Sequence, residues 1–351
     1  MKVLMCGNHP SNRGGMTSVI SQLRSYNWED KGIQLKFIPT YYPANKLYKT
    51  VYFSISFFRV CIALLTYKPD IVHMHMSYKG SFYRKYMIHR LCKRFNIKDI
   101  IHLHGSEFEK WYYETDEKNQ NKIRTLLREC DAFFVLGEKW KKIVESIEPA
   151  VNVIVVPNAV AIPKCTVRWS DDQFRLLYMG VLIPRKGIDK LLQSLYELKK
   201  IGKLNNLYLS IAGTGEGEND LKVLCSKYDL EDIVQFHGWI SGKEKEDLIM
   251  RSQAAILPSI HEGLPVSILE ALSYGMPVIA SDVGDVASAV IDGINGYLIQ
   301  PGDVKQLERR LESVNDKKRF LQMSIESRNL AEKVFSEEKF FKTIIECYMR
   351  L

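Results

Sequence analysis

A chain of 351 residues is too long for one ordinary core, and its 46% hydrophobic and 26% charged content places it among soluble globular proteins of two domains. The seven cysteines are scattered, odd in number and never in CxxC spacing, which excludes a disulfide scaffold or a zinc knuckle and suits reduced thiols of a cytosolic protein. The net charge of +8 is uneven: thirteen basic residues and one acid, Asp70, lie between Lys31 and Lys98, a block suited to an acidic partner such as lipid head groups, a lipid pyrophosphate or nucleic acid.

The chain opens on an apolar strand, Val3-Leu4-Met5, too short for a signal peptide, so export is not expected. It runs into Gly7-Asn8-His9-Pro10-Ser11-Asn12-Arg13-Gly14-Gly15-Met16 and a helix near 16–26. Adjacent glycines at a helix start either make a tight turn or let backbone approach a phosphate, and the spacing is not GxGxxG. A strand over 35–38 precedes an apolar helix near 50–66, which carries Arg59 and reads as a partly buried helix, not a span. Along the strand that begins with 71–74, His73 and His75 share a face, but two histidines do not make a metal site. The helix near 81–95 carries an apolar stripe, Tyr83, Met87, Leu91 and Phe95, with Arg84, Lys85, Arg90, Lys93 and Arg94 as its polar complement. That basic face is either an ordinary solvated one or, with Lys46, Lys49, Tyr41 and Tyr42, a surface for an anionic bilayer and the acceptor. The strand 100–103 ends in His102-Leu103-His104-Gly105-Ser106-Glu107, after which helices near 118–129 and 138–146 alternate with strands 132–136 and 153–156.

The pattern restarts after a polar stretch at 163–173, with strands at 175–179, 207–212, 234–236, 254–257 and 277–280 and a last helix at about 337–349. Such a βαβα series predicts parallel sheets covered on both faces, with ligands at the carboxyl ends of the strands. Two loops stand there: Gly180-Val181-Leu182-Ile183-Pro184-Arg185-Lys186-Gly187 and Ala212-Gly213-Thr214-Gly215-Glu216-Gly217. The most informative stretch is His261-Glu262-Gly263-Leu264-Pro265-Val266-Ser267-Ile268-Leu269-Glu270, with two carboxylates eight positions apart. Pro265 suits a first helical position, so the backbone of 264–267 would offer free N–H groups to a diphosphate, with Glu262 before the helix and Glu270 about 7.5 Å along it. No Asp-x-Asp pair follows an apolar strand, and Asp171-Asp172 falls in the linker, so a catalytic metal is not expected.

Together with Gly275-Met276-Pro277-Val278 and Asp292-Gly293-Ile294-Asn295-Gly296, the paired glutamates resemble the EX7E region of retaining glycosyltransferases of family 4, common among bacterial surface-polysaccharide enzymes. The resemblance implies an α/β fold of the GT-B type, two doubly wound Rossmann-like domains with an interdomain cleft. The first would cover 1–160 on the acceptor side and the second 161–336 on the nucleotide-sugar side, with a helix at about 337–351 packing back on the first. It further implies that Glu262 holds sugar hydroxyls, Glu270 the ribose, and Lys186 with Arg185 and the backbone of Gly263, Leu264, Pro265 and Val266 the diphosphate. Gly14 and Gly15 would approach the donor, Gly213 and Gly215 the nucleotide, and His104 the reacting sugar. Val181 stands where the family commonly has arginine. The implied donor is a UDP-linked sugar, with no cofactor and no metal. The implied acceptor is a lipid-linked saccharide of capsule or O-antigen assembly, met at the inner face of the cell membrane.

Other readings share parts of this pattern. A GT-B nucleotide-sugar epimerase would need no acceptor; a nicotinamide oxidoreductase would want a GxGxxG turn that is missing here; a non-enzymatic protein of anionic surfaces would leave the paired glutamates without purpose. Nucleic-acid binding fits the charge alone.

Overall fold

The computed structural model describes residues 1–351 apart from Arg13 and Asn205. The chain divides into two compact units, residues 1–157 with 341–351, and residues 158–340. Unit 1 contains β1 (Lys2–Asn8), α1 (Gly15–Ser25), β2 (Gln34–Tyr41), α2 (Lys46–Thr66), β3 (Ile71–Met76), α3 (Gly80–Arg94), β4 (Lys98–Leu103), α4 (Phe108–Glu114), α5 (Glu117–Glu129), β5 (Ala132–Val135), α6 (Glu138–Ile147) and β6 (Val153–Val155). Unit 2 contains β7 (Phe174–Met179), α7 (Ile188–Lys200), β8 (Leu207–Ala212), α8 (Glu218–Lys227), β9 (Val234–Gly238), α9 (Gly242–Met250), β10 (Ala254–Leu257), α10 (Val266–Ser273), β11 (Val278–Ser281), α11 (Val286–Ala289), β12 (Gly296–Ile299), α12 (Val304–Val314) and α13 (Lys317–Val334). The last helix, α14 (Glu337–Arg350), contributes its residues from Phe341 onward to unit 1.

Each unit is a six-stranded parallel sheet, ordered β2-β1-β3-β4-β5-β6 in unit 1 and β12-β11-β10-β7-β8-β9 in unit 2. The strands are buried apolar runs, as crossover helices on both faces require: β3 is buried at all six positions and β5 at all four. Capping residues set several helix starts. The Asn45, Asp116, Asp303 and Asp316 side chains accept from backbone N–H groups in the first turns of α2, α5, α12 and α13. The Asn45 cap explains why α2 begins at Lys46, four residues before the sequence expectation. β12 and the short α4 were not expected at all. β12, Gly296–Ile299, starts at the last residue of Asp292-Gly293-Ile294-Asn295-Gly296, a stretch read as a motif and not as the approach to a strand.

The sheet orders locate the ligand ends. Strand order reverses between β1 and β3 in unit 1 and between β7 and β10 in unit 2, and such switch points open a crevice outside the carboxyl ends of the strands.

Candidate active site

In unit 2 the loops that leave β7 and β10 meet. Gly187 sits at φ 68, and a Cβ there would lie 2.1 Å from the Pro258 carbonyl oxygen, so glycine is what lets the two loops touch. The Ile260 N–H donates to the Arg185 carbonyl at 2.8 Å, and Arg185 Nη1 donates to the His261 carbonyl at 2.8 Å. Across this seam Lys186 Nζ lies 2.5 Å from Glu262 Oε1, each side chain only 10% exposed. The sequence assigned these residues separately, the lysine to a diphosphate and the glutamate to a sugar. The fold pairs them with each other. Arg185 is exposed, and its guanidinium spans to the β10 loop.

Helix α10 starts at Val266, with Pro265 as an extended N-cap residue, one position later than expected. Leu264 is turned into the core, and its carbonyl accepts from Asn158 Nδ2 at 2.6 Å. Its side chain therefore anchors the helix start, and the first free N–H groups come from the helix itself. Glu270, one turn short of the helix end, lies 2.5 Å from Lys245 Nζ of α9 at 23% exposure. Neither Asn158 nor Lys245 carried a signal in the sequence, since each meets its partner only through the fold. Val181 is held by its backbone, its carbonyl accepting from the Tyr178 hydroxyl at 3.0 Å; burial pushes that phenol well up, so it stays a donor.

The second glycine loop has a packing reason. A Cβ on Gly213, at φ 158, would sit 1.7 Å from the Gly180 carbonyl oxygen, and one on Gly215 2.2 Å from that of Leu182. Both glycines thus fasten their loop to the loop after β7, with Leu182 N–H donating to the Thr214 carbonyl. At the end of the neighbouring β9, His237 lines a cavity of about 590 Å³ against α9 with Arg175, Gln235 and Arg251.

In unit 1, Gly14 (φ 132) caps α1, and a Cβ on Gly14 or Gly15 would meet nothing within 4 Å, so these glycines face open space; Arg13 beside them lies outside the described residues. His104 follows β4, partly buried, with Nε2 at 2.9 Å from Nδ1 of His75. The parallel register sets His75 opposite His102, and the rings of His73, His75, His102 and His104 stack with centroids 4.3 to 5.5 Å apart. His73 Nδ1 bonds the Tyr348 hydroxyl at 2.6 Å. Burial holds His73 and His104 down to about 3 and lowers His75 and His102, so all four are neutral imidazoles at neutral pH. The two histidines of the sequence reading are thus part of a set of four. Ring nitrogens of His73, His75 and His102 lie within 4.8 Å of one another, a group that among the described residues could hold a metal ion. Beside the cluster, Cys6 is pushed by burial up to about 12, and the charge of Lys85 further disfavours protonation of His75.

The expected basic face of α3 is corrected in several places. Its core side is Phe82, Lys85, Ile88, His89 and Cys92, while Tyr83, Met87 and Phe95 of the predicted stripe are exposed at 37, 45 and 41%. Two apolar series interleave on this helix, and the sequence periodicity picked the outer one. Lys85 points inward, 1% exposed, its Nζ 2.5 Å from Thr40 Oγ1, and burial drops its pKa to about 7. Lys93 is taken up by Asp99 and Asp131 at 2.8 and 2.7 Å, and Arg90 meets Glu129 at 3.2 Å. Arg84 is half-buried over the Tyr41 ring at 4.8 Å, and Arg94 is exposed.

Two family descriptions match the chain in tandem: "Glycosyltransferase Family 4" over residues 16–162 and "Glycosyl transferases group 1" over 166–332. An uncharacterized glycosyltransferase of Haemophilus influenzae is 28% identical over 246 residues, 68% of this chain and 66% of that protein. The UDP-Gal:alpha-D-GlcNAc-diphosphoundecaprenol alpha-1,3-galactosyltransferase of Escherichia coli is 25% identical over 338 residues, 91% of this chain and 84% of that one. Several curated relatives are longer, and the chain spans between 33 and 66% of the first of them. Among solved structures, HepE of Anabaena in complex with UDP superposes with a TM-score of 0.79 at 16% identity over 100% of both chains, which is a likeness of fold.

Proposed function

The chain belongs to the glycosyltransferases of group 1 and family 4, of GT-B fold, and from that membership we propose that it transfers a sugar from a nucleotide donor, with retention, to a hydroxyl of a lipid-linked saccharide. The observation that carries the reading is the Lys186–Glu262 pair at the switch point of unit 2, beside the start of α10. A departing nucleoside diphosphate needs a cation and free N–H groups; a held sugar needs an acceptor for its hydroxyls; the two loops supply both within one ion pair. On donor binding Lys186 shares its charge between Glu262 and the diphosphate, and Glu262 turns its second oxygen to the sugar. Glu270 takes the ribose in exchange for Lys245. His104, neutral and oriented by His75, hydrogen-bonds the transferred sugar.

The step is a front-face displacement. The anomeric carbon loses its bond to the phosphate oxygen as the acceptor hydroxyl attacks from the same side, and the hydroxyl proton passes to the leaving phosphate. Basic residues and helix N–H groups do the electrostatic work, so turnover needs no divalent cation. The donor is UDP-linked, as the bound nucleotide of the Anabaena protein and the named donor of the Escherichia coli enzyme suggest, and the latter's diphosphoundecaprenol acceptor supports a lipid-borne one. The protein then works in bacterial surface-polysaccharide synthesis, in the cytoplasm, at the inner face of the membrane.

Thermal melting with UDP, GDP, ADP and NAD tests the donor class, since a ligand at about 100 times its Kd stabilises by about 2.7 kcal/mol. A shift with one nucleoside diphosphate, followed by transfer from its sugar to a diphosphoundecaprenol-linked acceptor with the anomer read by NMR, supports the reading; a shift with NAD alone refutes it. Loss of turnover in EDTA that magnesium or manganese restores would refute the metal-free step.

A further inference from the structure

Helix α2 is apolar on two opposite sides. Its inner side, with Ser56, Val60, Ala63 and Leu64 buried and Phe53 and Phe57 packed on the core, docks on unit 1 against β2 and α3. Its outer side exposes Leu47 at 75%, Val51 at 49%, Ile55 at 58%, Phe58 at 65%, Ile62 at 44% and Leu65 at 58%. At about 100° per residue these six fall within an arc of about 80°, centred about 180° from the buried set, and they run about 27 Å along the axis. The neighbouring α3 adds exposed Tyr83 and Met87. A continuous apolar stripe of this length on a water-soluble domain marks a contact surface.

Charge decides the occupant. Helix α2 carries Lys46, Lys49 and Arg59 and no acid. A second copy of the same helix would set like charges against one another, whereas an anionic bilayer gains from each. The inner side is committed to the core, so α2 cannot cross the membrane without dismantling unit 1. At its start Tyr42, Tyr48 and Tyr52 cluster with ring centroids 5.7 to 6.2 Å apart, aromatic groups suited to the head-group layer. We propose that α2 lies in the plane of an anionic bilayer with its Leu47-to-Leu65 stripe buried among the acyl chains, so that unit 1 is held by apolar insertion and not by charge alone. This deepens, and for its purpose rests on, the reading of a lipid-linked acceptor, which is met at a bilayer.

The test is flotation of the full chain with vesicles of equal parts phosphatidylglycerol and phosphatidylcholine, at low salt and at about 1 M salt, where the Debye length is about 3 Å. The expected result is binding that persists at high salt and falls at least tenfold in Ile55→Glu/Phe58→Glu. Both positions are exposed, so the variant should keep its melting temperature and its shift with a nucleoside diphosphate; Ile55→Ser/Phe58→Ser serves if it does not. Binding abolished by salt in the wild type, or unchanged in the variants, overturns the proposal. So does a solution dimer, by sedimentation equilibrium, that the same substitutions dissociate. The donor-binding shift is read separately, so a protein that floats without binding nucleotide refutes the transferase reading and leaves this one standing.

Discussion

Lys186 and Glu262, 76 residues apart in the chain, close on each other at 2.5 Å with little water around either. Removing one partner of such a pair leaves the other charge uncompensated, at a cost of about 3 to 5 kcal/mol, whereas removing both is far milder. Lys186→Met and Glu262→Gln should therefore each lower the melting temperature more than the double variant does. Thermal denaturation of the four proteins checks this, and additive losses would show that the pair is not coupled. Transfer should fall in every variant, by about 100- to 1000-fold for Lys186→Met.

The Glu270–Lys245 pair predicts a contrast. Its side chains are 36 and 23% exposed, so Lys245→Ala should cost stability only about 1 kcal/mol. On the proposal that Glu270 takes the ribose, Lys245 competes for its carboxylate, so that variant should bind UDP at least as tightly as the wild type. Glu270→Ala should weaken binding by about 1.5 to 3 kcal/mol, the worth of a hydrogen bond to a charged group. Calorimetric titration measures both, and equal losses would remove the ribose from Glu270.

Lys85 gives the protein a pH dependence with a definite sign. Its ordinary value is 10.5 and burial brings it to about 7, so between those values the unfolded chain binds the proton that the folded one has lost. Stability on this account rises as pH climbs from about 7 to 10.5 and is lost again as pH falls through 7. The cationic group that acts on it is Arg84, and the other titratable groups around it, Cys6 on β1 and His75 on β3, are neutral. Lys85→Met should raise the melting temperature at about pH 6 to 7, by ~2–4 °C per kcal/mol, with the gain fading towards pH 10. A gain that grows with pH would contradict the burial.

His104, held down to about 3 by burial, should leave no titration in the rate near its ordinary 6.5. We expect kcat/KM to vary by less than about twofold between about pH 5 and 8 on its account. His75→Phe removes the ring that orients it and should lower kcat with KM little changed, by about tenfold for a lost charge-free hydrogen bond at the reacting end. A limb near pH 6.5 that disappears in His104→Gln would sink the assignment.

The parallel strands were legible because burial on both faces writes them as apolar runs, and the glutamates because their spacing sits on a loop and helix with few other constraints. What the sequence hid was partnership. Nothing near Lys186 announces Glu262, and nothing near Glu270 announces Lys245. Asp99 and Asp131, which neutralise Lys93, lie on the next strand and beyond two further helices. On α3 two apolar series run side by side, Phe82-Ile88-Cys92 and Tyr83-Met87-Phe95, and only the position of the sheet decides which one faces it. Gly213 and Gly215 looked like ligand contacts, and the fold shows a second reason for them in the carbonyl oxygens they touch.

The hydrogen bond from Tyr348 to His73 joins residues 275 positions apart, and Phe341 stacks on Tyr26 with centroids 3.7 Å apart. On the ribosome this inverts the usual order of completion. The first 157 residues emerge with their sheet already encoded, yet the aromatic cover over Tyr26 and Trp28 is made only once Phe341 and Tyr348 have emerged, after the whole of the continuous unit 158–340 has been synthesised. The cover of the amino-terminal sheet must therefore wait for residues that lie beyond the whole of the second unit.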